Sequence, residues 1–214
     1  MKDFLTQLSE VGIVPVIKMN DAANAVELAK ALRDGGLPAA EITFRSEAAE
    51  ESIRKIAAEV PELCVLAGTV LTVENAKRAV DAGAKAIVSP GTNMEVVRWC
   101  NENRIPVIPG CATPTEIEAC MHKGLGTVKL FPAEVVGGVS MLKALSGPYA
   151  AMRFMPTGGI SPKNVKDYLL LKNVVACGGS WIVPDQLLAD RRFDEIQKLA
   201  AEAAALRDSI RSGK

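Results

Sequence analysis

Residues 12–17 read Gly-Ile-Val-Pro-Val-Ile, residues 21–33 read Asp-Ala-Ala-Asn-Ala-Val-Glu-Leu-Ala-Lys-Ala-Leu-Arg, and residues 39–44 read Ala-Ala-Glu-Ile-Thr-Phe. A short apolar, β-branched run is a strand, and a longer stretch with Ala22, Val26, Ala29 and Leu32 on one face is a helix. The second run is again a strand. This strand–helix–strand unit repeats along the chain. Further runs fall at 63–67, 86–88, 106–108, 127–131, 153–155 and 174–177, so eight strands alternate with helical stretches. Alternation of this kind gives either a closed (β/α)8 barrel or an open doubly wound sheet. The length of 214 residues meets the lower limit of ~200 for the barrel. No Gly-x-Gly-x-x-Gly follows the first strand, as an open nucleotide-binding sheet would favour. The expected fold is therefore α/β: a single-domain (β/α)8 TIM barrel over residues 1–214. A short N-terminal helix at Asp3–Ser9 lies under its floor, and a long last helix spans Arg191–Ile210.

Local signals punctuate the units. Thr113-Pro114-Thr115-Glu116 has the N-cap, first-turn proline and capping-box glutamate of a helix start. Ser161-Pro162, Thr72 and Ser46 are further candidate starts. Gly35-Gly36, Gly83 and Gly124 suit helix ends, where a left-handed residue is needed.

Twenty-five basic residues balance twenty-five acidic ones, and aromatics make up only 4%. There is no basic footprint for nucleic acid or an anionic membrane, and few rings for stacking on single strands. No stretch approaches the ~20 apolar residues of a membrane span. The segment Val11–Ile17 is too short and too broken by Gly12 and Pro15 to serve as a secretion signal. Cys64, Cys100, Cys111, Cys120 and Cys177 contain no Cys-x-x-Cys pair and read as small buried hydrophobes, so a soluble cytoplasmic protein is expected. His122, the only histidine, reads as an ordinary helix-end residue, and no clustered set of metal ligands stands out.

In a barrel the chemistry sits at the C-terminal ends of the strands. Lys129, within Thr127-Val128-Lys129-Leu130-Phe131-Pro132, alternates with Val128 and Leu130 and so points inward. A buried lysine must desolvate its charge, and its neutral form is a nucleophile. Glu41, Thr43 and Arg45 share one face of the second strand, opposite Ile42 and Phe44. Glu41 suits proton transfer and Arg45 a bidentate grip on a carboxylate. An internal salt bridge without chemistry is the competing reading. Thr157-Gly158-Gly159 and Gly178-Gly179-Ser180 fall after the seventh and eighth strands, where this fold often builds a phosphate site from backbone N–H groups. Thr69 and Pro90 lie in loops at the same mouth. Together these parts suggest an amine that condenses with a 2-oxo acid, the protonated imine serving as electron sink for breaking a C–C bond.

The segments Val14-Pro15-Val16-Ile17, Glu41-Ile42-Thr43-Phe44-Arg45, Ala67-Gly68-Thr69-Val70, Val88-Ser89-Pro90-Gly91, Val128-Lys129-Leu130-Phe131-Pro132-Ala133-Glu134, Pro156-Thr157-Gly158-Gly159-Ile160 and Gly178-Gly179-Ser180-Trp181 resemble one family in unbroken order. This is the class I 2-dehydro-3-deoxy-6-phosphogluconate (KDPG) aldolases, also called 2-keto-4-hydroxyglutarate (KHG) aldolases. The resemblance implies Lys129 as the imine-forming residue, Glu41 as acid/base, and Arg45 and Thr69 as binders of the pyruvate carboxylate. It implies Thr43, Pro90, Phe131 and Thr157 as further substrate contacts. Gly158, Gly159, Gly178, Gly179 and Ser180 become the phosphate loops. It also implies a cytoplasmic homotrimer with small-molecule substrates, and neither metal nor cofactor beyond the covalent Schiff base. A sibling aldolase for phosphogalactonate or an unphosphorylated acid stays open. So do a phosphate-dependent isomerase and a catalytically silent phosphosugar-binding barrel.

Overall fold

The computed structural model describes residues 4–212. Its strands are β1 (Ile13–Ile17), β2 (Ala39–Thr43), β3 (Cys64–Gly68), β4 (Ala86–Val88), β5 (Val107–Ile108), β6 (Gly110–Cys111), β7 (Thr127–Leu130), β8 (Arg153–Phe154) and β9 (Cys177–Gly179). Helices α1 (Phe4–Val11), α2 (Ala25–Asp34), α3 (Ala49–Glu59), α4 (Val73–Asp81) and α5 (Met94–Glu102) accompany the first half. The second half carries α6 (Pro114–His122), α7 (Gly138–Leu145), α8 (Val165–Leu169), α9 (Asp185–Ala189) and α10 (Phe193–Ser212). Every strand pairing is parallel, as helical crossovers require.

The expected closed eight-stranded barrel is met only in part. The strands form a six-stranded sheet, β5-β4-β3-β2-β1-β9, and a three-stranded sheet, β6-β7-β8. Two local causes divide the ladder. Pro109 has no N–H to donate and separates β5, within the expected fifth run and paired with β4, from β6, an unexpected strand beyond that run which pairs with β7. At the other seam β8 is two residues long and meets the β9 run only through isolated bridges, Phe154 to Val174 and Thr157 to Gly178. Hydrogen bonds still cross both seams. Lys129 N–H donates to the Pro109 carbonyl at 2.8 Å and Gly178 N–H to the Pro156 carbonyl at 2.9 Å.

Apolar side chains segregate by strand parity into two layers. Ile13, Ile17, Ile42, Val65, Ile87, Val128, Leu130 and Phe154 pack outward against the helices. Val14, Ala39, Leu66, Ala86, Val88, Ile108, Met155 and Ala176 pack inward, with Leu8 and Val11 of α1 beneath them. The floor helix is thus present over Phe4–Val11; Asp3, where it was expected to begin, lies outside the described residues. Among the described residues no helix is long and apolar enough to cross a membrane.

Caps sort into those set locally and those overruled. Thr113 accepts from Glu116 N–H and completes the capping box of α6, and Thr72 caps α4. Ser46 caps nothing, because its hydroxyl donates to the Met19 carbonyl and α3 starts three residues later at Ala49. Ser161-Pro162 opens a turn rather than the helix itself. Asn164 closes that turn by accepting from Ser161 N–H at 2.8 Å, and α8 begins at Val165. The expected helix from Asp21 starts as a 3-10 turn, Ala22–Asn24, with Asp21 as its cap, and buries Leu28 and Leu32 rather than Val26. All five cysteines are free, four buried and Cys64 half-buried.

Candidate active site

The inward parity that gives the lower layer its apolar side chains gives the upper layer its polar ones. On β2 the inward series runs Ala39, Glu41, Thr43; on β7 it runs Thr127, Lys129. Both polar side chains are sealed from solvent, with Glu41 0% and Lys129 4% exposed. Lys129 Nζ lies 3.0 Å from Glu41 Oε1 and 3.4 Å from Oε2. Two opposite charges removed from water need such proximity, since either alone would be strongly destabilising. The Nζ also sits 5.4 Å from the centre of the Phe131 ring.

The pair forms part of the wall of a cavity of about 310 Å³. Of the residues singled out in the sequence, Arg45, Thr43, Thr69, Pro90, Phe131, Thr157, Gly158, Gly159, Gly178 and Ser180 also line it. Gly179 does not line it. It lies within β9 rather than in the loop after it, and the Trp181 ring covers it: a methyl at 179 would meet that ring at 1.8 Å. The reading missed Val16 and Ile160, which supply apolar wall. Val16 was accessible in principle, since it shares the inward parity of Val14.

Several groups in the wall have unspent bonding capacity. Arg45 Nε donates to Thr43 Oγ1 at 3.1 Å, and Thr43 donates in turn to the Ile17 carbonyl at 3.0 Å. Thr43 therefore holds the guanidinium stem, and among the described residues Arg45 has no carboxylate partner. Thr157 Oγ1 is buried without a hydrogen-bond partner among the described residues, as native folds rarely leave a polar atom. The N–H groups of Gly158, Gly159 and Ser180 donate to no other described residue, while the nearby Thr157 and Gly178 N–H groups are bonded to the Leu130 and Pro156 carbonyls. Thr69 has φ +55°, an uncommon and strained conformation for a β-branched residue, and such strain collects at functional sites. Among the described residues no group of three or more His, Cys, Asp or Glu is placed to hold a metal ion. His122 ends α6, exposed, with Nδ1 2.8 Å from the Glu118 carbonyl.

Comparison with known proteins places this geometry. The family profile described as KDPG and KHG aldolase matches residues 5–199. The chain belongs to the KDPG and KHG aldolase family. This aldolase, a lyase by that membership, is 47% identical over 191 residues to the KHG/KDPG aldolase of Escherichia coli, covering 89% of this chain and 90% of the relative. Its fold superposes on the KDPG aldolase of Legionella pneumophila with a TM-score of 0.90 at 35% identity, covering 94% and 98% of the two chains. That structure captured pyruvate as a covalent carbinolamine intermediate. The aldolase of Zymomonas mobilis, solved with 3-phosphoglycerate, superposes with a TM-score of 0.87 at 34% identity, covering 95% and 96%.

Proposed function

We propose that this aldolase reversibly cleaves 2-dehydro-3-deoxy-6-phosphogluconate to pyruvate and D-glyceraldehyde 3-phosphate through an imine on Lys129, and also cleaves 4-hydroxy-2-oxoglutarate. The observation that carries the reading is the buried Lys129–Glu41 contact of 3.0 Å in the cavity wall. Nζ attacks the C2 carbonyl carbon to form a carbinolamine, and Glu41 carries the proton between nitrogen and the departing hydroxyl. Loss of water leaves a protonated imine. Glu41 then takes the C4 hydroxyl proton, the C3–C4 bond breaks, and its electron pair moves into the imine to give an enamine. Protonation at C3 and addition of water release pyruvate and restore the amine. Holding amine, carboxylate and carbonyl together removes most of the entropic barrier.

The remaining wall residues fit the rest of the substrate. The free face of Arg45 suits a bidentate hold on the C1 carboxylate, with Thr69 beside it. The unspent N–H groups of Gly158, Gly159 and Ser180, with the Ser180 hydroxyl, suit the terminal phosphate at the far end. Gly178 lets Thr157 approach: a methyl at 178 would lie 2.3 Å from Thr157 Oγ1. The scheme calls for neither metal nor cofactor. The strand order supports reading residues 1–214 as one (β/α)8 barrel unit that closes across its two seams. Free cysteines suit a reducing compartment, the cytoplasm. The homotrimer implied by the family resemblance is tested by sedimentation.

Sodium borohydride added with pyruvate tests the chemistry. Irreversible mass gain on the peptide carrying Lys129, absent from Lys129→Arg, is expected. An unaltered mass, or a tag on another side chain, overturns the imine. Comparing cleavage of phosphorylated and unphosphorylated acids by wild type and Ser180→Ala tests the phosphate loops, and equal rates on the two acids would remove them from the reading.

A further inference from the structure

The loop proposed to receive the phosphate is shaped by two residues outside the cavity lining. Glu134 follows β7, and Tyr168, wholly buried, lies in α8. The Tyr168 hydroxyl donates to Glu134 Oε1. The stem of Glu134 lies directly against Gly159, where a methyl would come within 2.6 Å of Cγ and 2.7 Å of Cβ. At Gly138 a methyl would lie 2.6 Å from the Tyr168 hydroxyl and 2.8 Å from Glu134 Oε1, so the pair is enclosed on that side too. The backbone repeats the connection. Ala133 N–H donates to the Thr157 carbonyl at 2.8 Å and Glu134 N–H to the Gly158 carbonyl at 3.1 Å. Burial first, and then the adjoining carboxylate, push the Tyr168 hydroxyl above its ordinary range, so it remains a donor at neutral pH.

Gly158 and Gly159 both have positive φ, at 102° and 79°, a conformation that glycine adopts freely and therefore does not hold by itself. Something outside must fix it. We propose that Glu134 is a positioning residue. Held by Tyr168, its stem braces Gly158-Gly159 in the shape that receives the terminal phosphate. The inference rests on the phosphate reading given above. It separates substrates by their ends, because the brace touches neither Lys129 nor Arg45.

Steady-state kinetics of Glu134→Ala, Glu134→Gln and Tyr168→Phe with the 6-phosphorylated acid and with 4-hydroxy-2-oxoglutarate test it, beside wild type and Ser180→Ala. Glu134→Ala and Tyr168→Phe are expected to raise KM for the phosphorylated acid about tenfold, the scale of one hydrogen bond, with kcat within about twofold. Both constants for 4-hydroxy-2-oxoglutarate stay within about twofold. Glu134→Gln keeps the stem and the acceptor and restores KM. Equal losses on both substrates, no change on either, or a Gln variant as poor as Ala each overturn the positioning role. If wild type and Ser180→Ala treat the two substrates alike, the phosphate reading has failed and the brace falls with it. That arm distinguishes the two failures. Glu134 is exposed, so its variants test the idea even if Tyr168→Phe does not fold.

Discussion

Glu41 is constrained on both sides, by Lys129 across the cavity and by Gly68 on the adjacent strand. A methyl at position 68 would lie 2.3 Å from Glu41 Oε1 and 2.6 Å from Cγ, closer than any real contact. Glu41→Gln retains shape and removes the proton acceptor. It is expected to keep pyruvate binding and lose ~10²–10⁴ in kcat, the usual worth of a positioned acid/base. Parallel losses in binding and turnover would deny Glu41 that role. Gly68→Ala keeps every group proposed to react chemically intact but displaces one of them, Glu41. A loss on the order of 10² in kcat is expected, as for a misplacement of about 1 Å, with the chain still folded by circular dichroism. Unchanged kcat would show that the carboxylate can shift without consequence. Alternation along β2 and β7 made Glu41, Thr43 and Lys129 legible in the sequence, whereas Arg45, expected on the same strand face, lies in the turn after β2, which ends at Thr43. The strain at Thr69 was not legible, because threonine gives no hint of positive φ. Glu134 and Tyr168 meet across 34 positions, and no local pattern announces such a pair.

At the scale of elements, α6 shows what local chemistry decides alone. Ala112 N–H, Thr113 N–H and the Thr113 hydroxyl all donate to Glu116 Oε2 at 2.8 Å. Thr113→Ala is expected to cost about 1 kcal/mol in urea unfolding. The Ala112 N–H, with further help from Thr113, holds the Glu116 carboxyl below the usual carboxylate range. A lowered value in the folded state means that the contribution is full above the unfolded value of about 4.3 and is lost as pH falls through the folded one. The stability gap between wild type and Glu116→Gln should therefore be widest near neutrality and shrink in acid. A gap independent of pH would show that the charge is not what Glu116 contributes. Ser46 and Ser161 carried similar signals; the first was overruled by a tertiary partner, the Met19 carbonyl, and the second by a local turn closed by Asn164 three residues on. Strand existence was legible for the same reason as the α6 cap, from apolar runs. The break at Pro109 was visible as a proline but not as a second strand, because Gly110–Cys111 is too short to show a period.

At the scale of the whole molecule, the parallel order and the two apolar layers were readable, and the division of the ladder was not. Seam strength depends on how few residues pair across it, which sequence patterns do not encode. β2 and β3 pair through five residues inside the larger sheet, whereas β8 pairs with β7 through two. Amide hydrogen exchange should accordingly be slowest in β2 and β3 and faster at Arg153–Phe154 and across to Val174. Uniform protection around all strands would mean that the seams are as firm as the ladders.

Glu41 belongs to the six-stranded sheet and Lys129 to the three-stranded one. The proposed base and nucleophile thus ride on separate plates, joined at Pro109 and at the β8–β9 bridges. Their separation is governed by how stiffly those plates are hinged, more than by either strand alone. A change at a seam, far from any reacting atom, can then detune the proton transfer while leaving every functional group chemically intact.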